Sequence, residues 1–113
     1  MENLKNSVRL SGFAATDPIV INLENDKKMA RLSIGVHEHY KGNTGEWVNK
    51  TLWVNLIFWN KKVELVDDVI KKGMAFSIEG RLNSQSYVDK KGESRISTEV
   101  IVNTLELTSQ TDS

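Results

Sequence analysis

The sequence predicts an all-β fold, a short antiparallel barrel or sandwich interrupted by one helix. Three observations carry this expectation. Apolar and polar residues alternate with period two through Ala30–His37 and again through Trp53–Trp59, the pattern of half-buried strands. Turn-forming clusters punctuate the chain at Asp17-Pro18, Asn25-Asp26, Gly42-Asn43-Thr44-Gly45 and Asp89-Lys90-Lys91-Gly92. Apolar residues recur at helical spacing in one stretch only, after Asn60.

The elements follow in order. Val8, Leu10 and Gly12 share one face of a first strand, with Arg9 and Ser11 on the other. Asp17-Pro18 forms a turn, because proline cannot continue a helix, and Ile19–Leu23 makes a short second strand. Ala30, Leu32, Ile34 and Val36 alternate with Arg31, Ser33, Gly35 and His37, and Gly42–Gly45 is a loop tip before the long run Trp47–Trp59. Asn60 is suited to cap a helix carrying Val63, Val66 and Ile70, which Lys71-Lys72-Gly73 would close with cations in the last turn and glycine beyond it. Phe76, Ile78, Gly80 and Leu82 point inward from the next strand, and a final β-branched strand runs from Arg95 to Leu107 after the hairpin at Asp89–Gly92. Strands, one helix, then strands is the order of the five-stranded oligonucleotide-binding barrel, whose helix lies between its third and fourth strands. A length of 113 residues fits one such domain over 1–107, with a short polar disordered tail over 108–113.

Composition removes several classes of function. With no cysteine, disulfides, thiolate zinc sites and thiol nucleophiles are excluded. No secretory h-region is present and no apolar run approaches the ~20 residues that span a bilayer, so a cytoplasmic protein is expected. His37 and His39 share a strand face but have no third ligand of metal-binding type, and phosphate-loop, dinucleotide and nucleophile-elbow motifs are absent. No enzyme, metal or cofactor is therefore expected. The formal charge is zero, yet residues 26–62 hold seven basic and three acidic side chains, so a basic surface can coexist with neutrality.

The run Trp53–Trp59 is the most informative. Alternation sends Val54, Leu56 and Phe58 to one face and Trp53, Asn55, Ile57 and Trp59 to the other. The first set is a core face. The second places two indoles roughly 20 Å apart, at about 3.3 Å per residue, near Lys50, Lys61 and Lys62. Burial of both faces would leave Asn55 in need of a buried partner. Exposed aromatic rings among cations are instead what single-stranded nucleic acid requires, bases stacking on rings while phosphates meet lysine and arginine. Tyr40 and Tyr87 precede the two glycine-containing hairpin tips and extend the pattern.

A dozen short motifs in order resemble the bacterial single-stranded DNA-binding protein family: Asn6-x-Val8-x-Leu10-x-Gly12 with Asp17-Pro18, Ala30–Ile34, Glu38-x-Tyr40, Thr44-Gly45-Glu46, Thr51-x-Trp53, Trp59-x-Lys61, Lys72-Gly73, Glu79-Gly80-x-Leu82, Tyr87-x-Asp89, Gly92, Arg95 and Thr98-Glu99-Val100. The resemblance runs from about Asn3 to Leu107. It implies an oligonucleotide-binding barrel that assembles as a homotetramer (a dimer is the alternative) and wraps single-stranded DNA in replication, recombination or repair. It implies base stacking on Tyr40, Trp53, Trp59 and Tyr87. Lys5, Arg9, Arg31, Lys50, Lys61, Lys62 and Arg81 are the candidate phosphate contacts.

The departures from the family pattern carry expectations of their own. The chain ends at Thr111-Asp112-Ser113 without the family's acidic tail, so tail-mediated recruitment of replication proteins is not expected, and an accessory or mobile-element paralogue is suggested. Asn83-Ser84-Gln85-Ser86 is neutral where many relatives are basic, which weakens phosphate contact, and Val54 replaces a histidine that some relatives have near a subunit contact. A primosome-type protein-interaction barrel with weak nucleic-acid binding is the alternative reading, and single-stranded RNA is the alternative ligand.

Overall fold

The computed structural model describes residues 5–108; residues 1–4 and all of the expected tail except Thr108 lie outside the described residues. Six strands are present: β1 (Val8–Ala14), β2 (Ile19–Asn22), β3 (Lys28–Lys41), β4 (Trp47–Trp59), β5 (Ala75–Val88) and β6 (Ser94–Leu107). Around the sheet the order is β1-β5-β6-β4-β3, and β3 returns to β1 through Phe13↔Gly35 and Ala14↔Ile34. The ring is antiparallel except at β4–β6, where Leu56↔Val100 and Ile57↔Ile101 run parallel. β2 pairs with β3 just beyond the β1 contact, at Ile19↔Arg31 through Asn22↔Lys28. The first two strands are thus two segments lying along one neighbour, broken at Asp17-Pro18, and the barrel closes with five strands.

The core is the alternating set that the sequence marks. Leu32, Ile34, Leu56, Phe58, Phe76, Val100 and Val102 are fully enclosed, with Ala14, Ala30 and Ile78 between them. A one-residue slip of any of these strands would turn its buried side chains to water, so burial fixes the register.

The helix expected after Asn60 is replaced by a short 3-10 turn, Asn60–Leu65. Asn60 is not its cap: it adopts φ 50, and Trp59 takes the extended cap position with no side-chain cap bond. Past Leu65 the chain makes only isolated turns, and Asp68 at φ 63 is left-handed, which stops right-handed propagation. Lys71–Gly73 consequently does not end a helix. It belongs to a turn anchored on β1, where the Lys72 N–H donates to Asp17 Oδ1 at 2.8 Å and the Gly73 N–H donates to the Ala14 carbonyl at 2.8 Å. The apolar spacing that suggested a helix serves another purpose. Val63, Val66 and Ile70 are buried against the barrel core, and each contributes about 1.5–3 kcal/mol by leaving water.

β3–β4 and β5–β6 run on past the barrel as two hairpin arms. On β3 every residue from His37 to Lys41 is exposed, and on β5 all but Asn83 are exposed from Arg81 onward. Leu82, expected inward, keeps the inward parity but is 50 % exposed, because it lies past the closed part of the barrel. The change from barrel to arm occurs at a register shift between Glu79 and Gly80. Gly80 is buried there, and a Cβ at this position would collide with the Ile101 carbonyl. Gly80→Ala is therefore expected to lower stability by about 1–3 kcal/mol through overpacking, read as a fall in the urea midpoint; an unchanged midpoint would mean that the approach relaxes freely.

Candidate nucleic-acid interface

The exterior face of β4 carries the odd-numbered residues, because the even ones fill the barrel. Trp53 is 60 % exposed, Asn55 is exposed and Trp59 is half-buried. The rival expectation that both faces are buried fails at Trp53 and Asn55. It holds only for Ile57, which is buried between its neighbours. Asn55 needs no core partner, since the Ser33 hydroxyl donates to its Oδ1 at 2.8 Å across the strand pair.

Two further cross-strand pairs continue this ladder along the arm. Thr51 Oγ1 bonds His37 Nδ1 at 3.2 Å, and Asn49 bonds His39. Between the Ser33–Asn55 and His37–Thr51 pairs, Trp53 lies opposite Gly35. A side chain there would strike both the Trp53 and Phe13 rings, so the glycine makes room for them. Phe13 meets Trp53 edge-on, with centroids 5.8 Å apart, and stacks on His37 at 5.0 Å. The Trp53 indole is therefore braced from one side and open to solvent on the other, a preorganised stacking surface.

Pairing across β3, β4, β6 and β5 aligns Arg31, Ile57, Ile101 and Arg81 in one lateral row on this exterior face. Two apolar side chains sit at its centre and a guanidinium at each end. Beside the row lies a shallow groove of ≈ 140 Å³, bordered by Met29, Trp59, Asn83, Gln85 and Glu99. Tyr87, 51 % exposed, pairs with Arg95 and has the same parity as Asn83 and Gln85, so it extends this face along the β5–β6 arm. Trp53, Trp59 and Tyr87 are thus brought to one side of the molecule. Tyr40 is not. It is half-exposed opposite Val48, on the face that is continuous with the barrel interior.

The candidate cations divide in the same way. Arg31 and Arg81 lie in the lateral row, and Lys61 and Lys62 are exposed in the 3-10 turn that follows Trp59. Lys5 is exposed next to Asn6, whose side-chain amide bonds both backbone groups of Leu82 and so holds this segment against β5. Lys50 pairs across the strands with Glu38, on the side of Tyr40. Arg9 is ion-paired with Glu79 at 3.1 Å in a depression that also contains Glu106, an acidic setting away from the tryptophans.

Two residues of this surface were missed by the sequence reading. Trp47 is 71 % exposed, and its parity matches Trp53 and Trp59 at steps of six residues, a signal present in the sequence. Glu99 was legible only as a family motif, because its place in the groove depends on the parallel β4–β6 contact. No polar or charged side chain is buried among the described residues, and no group of three or more potential metal-ligating side chains occurs among them. No helix among them is long and apolar enough to cross a membrane.

The β5–β6 tip is organised by Asp89. Its Oδ1 accepts the N–H groups of Lys91 and Glu93, both at 2.9 Å, and Oδ2 accepts Arg95 Nε at 3.0 Å. The Arg95 guanidinium foremost, then the Glu93 N–H, hold the Asp89 carboxyl below the usual aspartate range. Arg95 also reaches Glu93 at 3.4 Å, so it is committed to the turn and fixes the strand opposite Tyr87.

A model of the Single-strand binding protein family matches residues 5–108. Among solved structures, the fold is shared with a Plasmodium falciparum SSB in complex with ssDNA, at TM-score 0.87 and 23% sequence identity, covering 96% of this chain and 99% of that one.

The depressed Asp89 value has a pH consequence. A carboxyl whose folded value is lowered contributes order that is full above its unfolded value, about pH 4, and is lost as pH falls through the folded one. The midpoint at which the amide NMR shifts of residues 89–93 change is expected to lie below the ordinary aspartate value. A midpoint at the ordinary aspartate value would show that Arg95 does not hold the turn, and Asp89→Asn is expected to loosen the tip at neutral pH.

Proposed function

This chain belongs to the single-strand binding protein family, and on that premise we propose that it binds single-stranded DNA without sequence preference, as one domain over residues 5–108 that stacks bases on Trp53, Trp59 and Tyr87. The observation that carries this reading is Trp53, a 60 % exposed indole braced by Phe13 and bordered by a hydrogen-bonded polar ladder. Arg31, Arg81, Lys61 and Lys62 meet phosphates, and Lys5 adds to them where the strand passes the edge of β5. Lys50 and Tyr40 join only if the strand rounds the β3–β4 arm to its other face. Arg9 contributes least, being engaged by Glu79. The role is that of a binding protein rather than an enzyme, protecting single strands exposed in replication, recombination or repair.

Homotetramer assembly is part of the proposal. The β5–β6 arm exposes Leu82, Val88 and Ile96, at 50 %, 69 % and 73 %, and apolar surface of this kind marks protein contact. The same residues favour the second reading, a protein-interaction module with weak nucleic-acid binding.

Titration with oligo-dT, with mass measured free and bound, separates the two. Quenching of tryptophan emission is expected, with affinity well above that for duplex DNA. Five phosphate contacts on one protomer imply a slope of log affinity against log salt of about −3.5 for each protomer engaged, at roughly −0.7 per contact on single strands. Trp53→Ala is expected to cost about 1–3 kcal/mol. A folded Trp53→Ala protein with undiminished affinity would remove that ring from the site, and duplex binding as tight as oligo-dT binding would remove stacking as the mechanism. Glu99→Gln takes a carboxylate out of the groove lined by Arg31 and Trp59, and is expected to tighten oligo-dT binding, most visibly at low salt.

A further inference from the structure

We propose that Trp47 is a further base-stacking residue beside Trp53, Trp59 and Tyr87, and that the bound single strand continues outward along the β3–β4 arm to reach it. This extends the single-strand reading and depends on it. Tryptophan packs 150–250 Å² of surface when it is buried, yet Trp47 is left 71 % exposed, more than Trp53. It stands on β4 six residues before Trp53, which is itself six before Trp59. An even spacing keeps all three on one face, with successive rings roughly 20 Å apart along the strand.

The surroundings decide what covers the ring. A protein-interface anchor sits in an apolar patch depleted of charge. The face around Trp47 offers the opposite: Lys41 directly across the strand pair, then His39, Asn49, His37 and Thr51 in hydrogen-bonded pairs. One cation beside an open ring, followed by a polar track leading to the next ring, fits a base with its phosphate and the sugar-phosphate chain between two stacked bases. The backbone that carries the ring is fixed. The Gly42 N–H donates to the Glu46 carbonyl at 2.7 Å and the Gly45 N–H to the Gly42 carbonyl at 3.0 Å, so Trp47 is the first residue after a closed turn.

The test uses the full chain and an oligo-dT series of increasing length. Trp47→Ala and wild type are expected to bind the shortest binding oligomers equally, and to diverge by about five-fold or more once the oligomer is long enough to reach the arm tip, with Trp47→Phe restoring most of the loss. In Trp53→Phe/Trp59→Phe, where Trp47 is the sole tryptophan, long oligo-dT is expected to quench emission and short oligo-dT is not. The proposal is overturned if Trp47→Ala weakens all lengths equally, if it changes the mass of the free protein, or if the sole-tryptophan signal is unmoved while labelled oligo-dT shows a complex by anisotropy. Absence of any anisotropy change with wild type is a different failure, that of the single-strand reading itself.

Discussion

Burial of Leu56 and Phe58 inside the barrel is the constraint on which the interface depends. These two side chains, packed with Leu32 and Ile34 from β3 and Val100 from β6, permit a single register for β4. Strand geometry allows no intermediate choice: with the even residues inward, Trp47, Trp53 and Trp59 must face outward. The exposed indoles are thus a consequence of the core. Their large apolar area stays in water because the strand has already committed its other face, and a ligand with flat apolar surfaces is what recovers that area.

Exposure by itself would give mobile rings, and the exterior face supplies the bracing. The absent side chain at Gly35 lets Phe13 approach Trp53 edge-on, while His37 supports Phe13 from behind. The Ser33–Asn55 and His37–Thr51 pairs hold the strand pair on either side of that ring. At the other arm Asp89 gathers two backbone N–H groups and Arg95 into one turn, which fixes the backbone beside Tyr87. Stacking surfaces that are fixed before binding lose less conformational freedom when a base arrives.

What could be read from the sequence was what period-two alternation determines. The inward set Leu32, Ile34, Leu56, Phe58, Phe76 and Ile78 and the outward Trp53 follow from it, while both hairpin tips follow from the turn-forming clusters between strands. The 3.6-residue period misled, because Val63, Val66 and Ile70 are spaced to cover a barrel end and a string of turns presents them as well as a helix does. Two left-handed residues, Asn60 and Asp68, decide between those outcomes, and asparagine and aspartate accept that conformation without announcing it. Relations that cross the sheet were not legible either. The groove holding Glu99, the Arg31–Arg81 row and the separation of Tyr40 from Trp53 all depend on which strands become neighbours, and on counting parity across a register that only the closed barrel defines.

Zero net charge then ceases to argue against a polyanionic ligand. Several basic side chains are already spoken for: Arg9 by Glu79, Arg95 by Asp89 and Glu93, Lys71 by Asp68. The cations left on the tryptophan side are few, Arg31, Lys41, Arg81, Lys61 and Lys62, and Glu99 shares the groove of Arg31 and Trp59. Exposed surface ion pairs contribute little to stability, so the pairing of the others matters mainly for where positive charge remains. Part of what remains, Arg31 above all, lies next to the rings. On the proposed surface electrostatics would orient and retain the strand, while stacking would add about 1–3 kcal/mol per base. Such a division would favour ligands whose bases are already unstacked over duplexes, whose phosphates are equally available but whose bases are not.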